Sequence, residues 1–374
     1  MSVPPPRPSP HNRFAWDYRR LAGAMPAPPV PIVDAHTHIA GERATPIYDS
    51  VRREFGVVET YSMTQIANAP AVRDLLGPSV RFIAFPSFSE PDRARAFRDG
   101  YLRTIERFHA EFGSRMLKLW GSPRLRDLIP ETVGASFGAT DLVEIDSPWR
   151  VKACEVGTSL GMMFMVHVAD PDTWFSAKYK DSRVYGTKRQ QYEGLERMLD
   201  RFTSPWIAAH MGGWPEDLVF LDGMLTRHPN LYLDTSAMKW QVRELSRHPR
   251  EDARAFFIRW GRAGRLIFGT DVVVTDDHVQ KGKSAASAMG DLADSPESAA
   301  ELYASRHWCL RTLLEGDYDG DSPVADPDLA MMDPQRHDAM SAPRLRGLSL
   351  PRDVLAELYG GAIRRLAERW WPTD

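Results

Sequence analysis

The chain has 374 residues, 43% of them hydrophobic and 26% charged, the balance of an ordinary soluble globular protein with a large buried core. A formal net charge of -3 creates no long-range field, which excludes nucleic acid and an acidic membrane surface as expected partners. Two cysteines, Cys154 and Cys309, make neither a disulfide framework nor a Cys-rich metal site. With no apolar leader and no apolar run near the roughly 20 residues of a membrane helix, the expected location is cytoplasmic.

Residues 1–30 carry Pro4, Pro5, Pro6, Pro8, Pro10, Pro26, Pro28 and Pro29 around Phe14, Trp16 and Tyr18. Proline at that density predicts an extended arm, with the aromatics as anchors onto the barrel or onto a second subunit. From Pro31 onward, apolar runs predict strands at 31–35, 57–61, 80–85, 116–120, 161–168, 206–210, 231–235 and 266–271. Amphipathic segments lie between them at 92–112, 148–160, 193–201 and 215–228. In the first, Phe97, Tyr101, Ile105, Phe108 and Phe112 recur at helical spacing. Eight strands alternating with helices predict an α/β fold, a distorted (β/α)8 TIM barrel, and the span 31–271 is close to the ~250 residues such a barrel uses.

The stretch 276–345 reads as an insertion after the eighth strand. It holds a helix over 291–314 and a polar loop over 316–343, rich in Asp, Pro and Gly, packed on one barrel face. A closing helix over 351–371 follows, with Leu355, Leu358, Ile363 and Leu366 on its buried stripe. The expected organisation is a proline-rich arm over 1–30 and a single barrel domain over 31–374, with the closing helix as a C-terminal extension.

Chemistry-bearing residues sit at the ends of these strand candidates. Ile32-Val33-Asp34-Ala35-His36-Thr37-His38 ends an apolar run in two histidines, which alternation places on one side. Lys118 lies in the fourth strand, His167 closes the fifth, His210 the sixth and Asp271 the eighth. Barrel strand C-termini converge on one mouth, and several histidines with a carboxylate suit zinc or a similar borderline ion. Taken singly, each has an ordinary reading as a hydrogen-bonded rim residue, a snorkelling lysine or a helix cap. The coincidence at four strand ends is hard to explain as packing. The remaining histidines (His11, His109, His228, His248, His278, His307 and His337) occupy polar or helical contexts and read as solvated.

On these residues the chain resembles the amidohydrolase superfamily, in the amidohydrolase-related branch that includes aminocarboxymuconate semialdehyde decarboxylase. The resemblance rests on Val33-Asp34-Ala35-His36-Thr37-His38, Lys118-Leu119, His167-Val168-Ala169-Asp170-Pro171, Ala209-His210-Met211-Gly212-Gly213, the run from His228 through Leu233-Asp234-Thr235-Ser236, and Ile267-Phe268-Gly269-Thr270-Asp271. It implies that His36, His38 and His167 are metal ligands, that Asp271 is a ligand or general base, and that His210 is a second acid/base group. Two positions depart from the family pattern: Val272-Val273-Val274 stands where relatives have Tyr-Pro after the last Asp, and Gly360-Gly361 where the closing helix has Asn.

The leading expectation is a metal-dependent hydrolase acting on a small organic substrate, carboxylated or aromatic, through a metal-activated water. Asp271 takes the proton and His210 holds the developing oxyanion. A non-oxidative decarboxylase (carboxy-lyase) or a hydratase uses the same residues, and a non-catalytic binding barrel is the rival from another class. Lys118, Arg124 and Trp174 are the substrate-binding candidates, Arg for its bidentate fork and Trp for its flat apolar face. One divalent ion is expected, zinc before manganese; carboxylation of Lys118 would make the centre binuclear. A homodimer is the expected assembly. The loops 40–55, 121–146, 171–189 and 272–284 define the substrate, and Arg43, Arg52 and Arg53 fit either an acidic substrate or a solvated surface.

Overall fold

The computed structural model describes residues 7–280 and 289–371. Pro4, Pro5, Pro6 and the end of the 272–284 loop lie outside them. All eight predicted strands form: β1 (Ile32–Ile39), β2 (Val57–Ser62), β3 (Val80–Phe82), β4 (Met116–Trp120), β5 (Met163–His167), β6 (Trp206–Ala208), β7 (Leu231–Asp234) and β8 (Leu266–Ile267). Their continuous apolar runs fit strands covered on both faces, and Met163, Phe164, Met165 and Val166 are fully buried.

Pairing is parallel throughout, in the orders β3-β2-β1 and β4-β5-β6-β7-β8. Backbone hydrogen bonds join the two sheets at both seams. Ala84 donates to the Met116 carbonyl at 2.9 Å and accepts from Lys118 at 2.7 Å. On the other side Ala35 donates to the Phe268 carbonyl at 3.0 Å, and Asp271 to that of His36 at 2.7 Å. The eight strands thereby close into a TIM barrel. Helices Ala44–Glu54, Ala69–Leu76, Asp99–Phe112, Pro148–Ser159, Lys188–Arg201, Leu218–Arg227, Arg250–Arg262 and Pro296–Glu315 follow the strands in turn.

Alternation sorts the strand residues into two cores. Met116, Met163, Met165, Ile207 and Ile267 fill the barrel, while Leu117, Leu119, Phe164 and Val166 face the helices. Lys118 and Trp120 therefore share the inward face of Met116, and His167 that of Met165. The predicted closing segment divides into Arg352–Ala356, a π-helical turn at Glu357–Gly361 and Ala362–Trp370. Its Ile363 and Leu366 pack into the barrel interior and plug it.

Several expectations are corrected. The arm is not wholly extended: Tyr18–Ala24 is a helix, capped by the Asp17 carboxylate, which accepts from the amides of Arg19 and Arg20. Trp16 stacks edge-on against Trp308 at 5.1 Å, so the arm is anchored on this chain's own barrel. The helix at 92–112 breaks at Arg98, whose backbone leaves the helical region and whose guanidinium binds Glu131 and Asp141. Val272–Val274 is not a loop but a strand (β9), paired in parallel with Thr37, His38 and Ile39 of β1. The polar stretch at 316–343 contributes Asp319–Asp321 to an antiparallel ribbon with Arg344–Arg346. His11, His228, His278 and His307 are buried, not solvated, because helices distant in sequence cover them. Arg52 is also buried, donating to the Val57 carbonyl at 3.0 Å and pairing with Asp49. Among the described residues, no helix is long and apolar enough to cross a membrane.

Candidate functional site

A cavity of about 500 Å³ opens at the C-terminal ends of the strands. His36, His38, Lys118, His167, His210 and Asp271 all line it. Strict alternation from Val33 and Ala35, which face the barrel interior, would not turn His36 and His38 inward as well. A register shift between Asp34 and Thr37 does so, letting one strand contribute both its core face and its histidines. At the opposite seam the chain passes close behind: a Cβ on Gly269 would lie 2.8 Å from the His36 Cβ, so only glycine fits.

The predicted strand ends at 206–210 and 266–271 leave the sheet early. His210 (φ 60°), Met211 (φ 50°) and Asp271 (φ 58°) are left-handed, a conformation costing about 1–2 kcal/mol per non-glycine residue. Asp34, beneath Asp271, holds that turn. It accepts from the Thr270 hydroxyl at 2.6 Å and from the amides of Thr270 and His36 at 3.0 and 3.2 Å. Burial raises the Asp34 carboxyl to about 7, and the Thr270 and His36 hydrogen bonds oppose it.

His36, His38 and Asp271 form one compact donor group. The Oδ1 of Asp271 lies 3.4 Å from the Nε2 of His36 and 3.3 Å from the Nε2 of His38. The three donor atoms lie within 4.8 Å of one another. The Nε2 of His36 is buried without a hydrogen-bond partner among the described residues. Burial pushes the Asp271 carboxyl up, and contacts with His36, His38 and His210 outweigh it and hold it well below the usual range. Two imidazoles and an ionised carboxylate around an orphaned nitrogen fit a divalent cation such as zinc or manganese.

A second, deeper unit orients the rings. His36 Nδ1 donates to Asp234 Oδ2 at 2.8 Å. The other oxygen, Oδ1, accepts from the His210 amide at 2.8 Å and from the Ser236 hydroxyl. Ser236 Oγ lies 2.7 Å from the Nδ1 of His210. An ionised carboxylate only accepts, so the serine proton goes to Asp234, and its oxygen accepts from His210 Nδ1. His210 is left with its Nε2 lone pair free. Burial, with His167 beside it, holds His210 well below the ordinary histidine range, so the ring is neutral. Burial pushes the Asp234 carboxyl up, but the charge and hydrogen bond of His36, followed by His210 and Ser236, hold it low.

His167 stands apart. Its ring is 4.7 Å from that of His210, edge-on, and its Nε2 donates to Asp170 Oδ1 at 3.0 Å. It is not among the three mutually close donors. Lys118 is 6% exposed, and its Nζ has no hydrogen-bond partner among the described residues. Burial lowers the ammonium to about 8 against the charges of Asp234 and Asp271. Arg124 and Trp174, expected to bind substrate, are not brought to this cavity. The Trp174 indole donates to Asp328 at 3.0 Å, and Arg124 is exposed, 6.0 Å from that ring. The wall is instead made by Phe88 against Phe85 (5.9 Å), Phe97 (5.7 Å) and Trp120 (5.9 Å).

Asp170, Asp234 and Ser236 received no role from sequence reasoning. Each lies in a motif that carried the family resemblance, Asp170 three residues after His167 and the other two at the end of the seventh strand. That position was the available signal.

The amidohydrolase family model matches residues 11–304, from the arm into the helix after β8. The chain belongs to the amidohydrolase family. It is an enzyme fold of that superfamily, and the cavity lies where a TIM barrel carries its chemistry. No curated protein matches the sequence of this amidohydrolase. Among solved structures, a probable 2-pyrone-4,6-dicarboxylic acid hydrolase from Acinetobacter baumannii aligns over 81% of this chain and 99% of its own, at 11% identity and a TM-score of 0.42. A 5-carboxyvanillate decarboxylase from Sphingomonas paucimobilis aligns over 90% and 98%, at 13% identity and a TM-score of 0.41. A 2,6-dihydroxybenzoate decarboxylase from Rhizobium aligns over 75% and 99%, at 13% identity and a TM-score of 0.40.

Proposed function

We propose that this amidohydrolase is a metal-dependent hydrolase of a small carboxylated or aromatic compound. His36, His38 and Asp271 would hold one divalent cation, zinc or manganese, with His167 on the same cavity wall as a further ligand, supplying Lewis acidity beside the reacting group. The observation that carries the reading is the free Nε2 of His210, a proton acceptor facing a cavity whose other acid, Asp271, is also ionised. A site of two unprotonated bases is set to take a proton from water as it attacks, which hydrolysis requires.

The remaining residues have definable tasks. Asp234 and Ser236 keep His210 in the accepting tautomer and stabilise the imidazolium that forms. Lys118 is the cation available to a substrate carboxylate or developing oxyanion, since its Nζ has no hydrogen-bond partner among the described residues. Phe88, Phe97 and Trp120 offer flat apolar surface to a planar substrate and exclude water around it.

One observation favours a second reading, non-oxidative decarboxylation. The aromatic wall weakens hydration of a bound carboxylate and so favours its loss as neutral CO2. A single experiment separates the two. Protein purified without added metal is assayed for zinc and manganese, then incubated in ¹⁸O-water with aryl esters, lactones, amides and aryl carboxylates. About one metal per chain and ¹⁸O in the product supports hydrolysis. CO2 release without ¹⁸O incorporation replaces it with decarboxylation.

A further inference from the structure

Asp170 joins three segments at one carboxylate, and one of its partners is a histidine of the candidate centre. Its Oδ1 accepts from the Nε2 of His167 at 3.0 Å. Its Oδ2 accepts from the Ser122 hydroxyl at 2.5 Å and the Tyr179 hydroxyl at 2.8 Å. Ser122 comes from the loop after β4, and Tyr179 from the segment after the helix Asp172–Ala177. Asp170 is 4% exposed, so water does not replace these donors. A carboxylate has about four acceptor sites, and three are filled by donors that fix its plane. The His167 backbone is fixed as well, because its carbonyl accepts from the Gly121 amide at 2.8 Å. The ring is therefore held from both ends.

We infer that Asp170 is a positioning residue that selects which nitrogen His167 offers to the centre. Asp170 keeps the ring proton on Nε2 and occupies that nitrogen, so Nδ1 carries the lone pair and is the atom left for His167 to contribute to the cation of His36, His38 and Asp271. His36 works in the opposite sense, with Nδ1 tied to Asp234 and Nε2 free. Tyr179 and Ser122 make the position of the loops after β4 and β5 part of the same constraint. The inference rests on the metal reading proposed above, but its first test does not.

That test is the histidine tautomer in the metal-free protein, read from ¹⁵N shifts of histidine-labelled chain with His167 assigned by His167→Gln. The expected pattern is Nε2–H with unprotonated Nδ1; an Nδ1–H ring overturns the proposal. The second test is manganese affinity by titration calorimetry. Asp170→Ala should weaken binding by about 10–100-fold, with Asp170→Asn between it and the wild type. A folded Asp170→Ala protein with wild-type affinity overturns the proposal. If that variant does not fold, Tyr179→Phe decides: it removes one donor and leaves the carboxylate, and affinity should drop a few-fold. Unchanged affinity in Tyr179→Phe then counts against the constraint. A wild type that takes up no manganese sinks the metal reading instead, and the tautomer measurement still judges the role of Asp170.

Discussion

The Nδ1 of His36 and the Oδ2 of Asp234 meet at 2.8 Å across 198 residues of sequence. The same carboxylate holds His210 through its backbone amide and through Ser236. One buried acid thus orients a candidate ligand and the candidate base together. Replacing Asp234 with Asn keeps the shape and removes the charge. Metal affinity should fall about 10–100-fold, as for other carboxylates behind ligand histidines. Metal content after dialysis, beside a circular-dichroism check of the fold, measures it; full retention of metal would detach Asp234 from the centre.

His210 lies outside the His36–His38–Asp271 donor group. His210→Gln should therefore keep wild-type metal content while kcat falls by about 10²–10⁴-fold, the usual contribution of a general base. Loss of metal in this variant would instead make His210 a ligand.

Gly269 permits the seam between β1 and the end of β8. A methyl group there would lie 2.8 Å from the His36 Cβ, where the backbone offers no slack. Gly269→Ala should destabilise the fold by about 1–3 kcal/mol, as overpacking does, and weaken metal binding at the same time. A denaturant midpoint unchanged from wild type would show that the seam is looser than the geometry indicates.

His307 predicts a pH effect away from the site. It is fully buried against Phe55 and Tyr48, and neither ring nitrogen has a hydrogen-bond partner among the described residues. Burial, then Arg52 and Arg311, lowers it from 6.5 to about 3. The folded ring stays neutral while the unfolded one takes a proton below 6.5, so the unfolded form binds more protons in that window. Its contribution to stability is full above pH 6.5 and is lost as pH falls toward 3, at up to about 1.4 kcal/mol per pH unit. His307→Leu should match wild type within about 1 kcal/mol at pH 7.5 and outlast it at pH 5. Urea midpoints at the two pH values test this, and parallel losses in both proteins would refute it.

Expectation and structure part at identifiable places. The eight strands were legible because apolar runs such as 163–166 are local signals of two-sided burial. The stripe of Leu355, Leu358, Ile363 and Leu366 was legible from another local signal, the helical spacing of one buried face. The buried histidines were not. His307 follows Ser305 and Arg306 in a helix, and only packing against Tyr48 of the helix Ala44–Glu54 and against Phe55 removes it from water. Arg124 and Trp174 lie off the cavity, with the Trp174 indole bound to Asp328, more than 150 residues away, a partner no local signal names.

The sequence by itself determined an α/β barrel with His36, His38, Lys118, His167, His210 and Asp271 gathered at one mouth, since period and strand order are written in neighbouring residues. Tertiary structure alone decided which way those side chains present their atoms. The register shift that turns His36 and His38 inward, the left-handed turns at His210 and Asp271, and the anchoring of rings by Asp170 and Asp234 all depend on barrel closure. The physical reason is range: hydrophobic burial is scored residue by residue along a strand, whereas a hydrogen bond needs one partner at one distance and angle, and that partner is chosen only when distant strand ends meet.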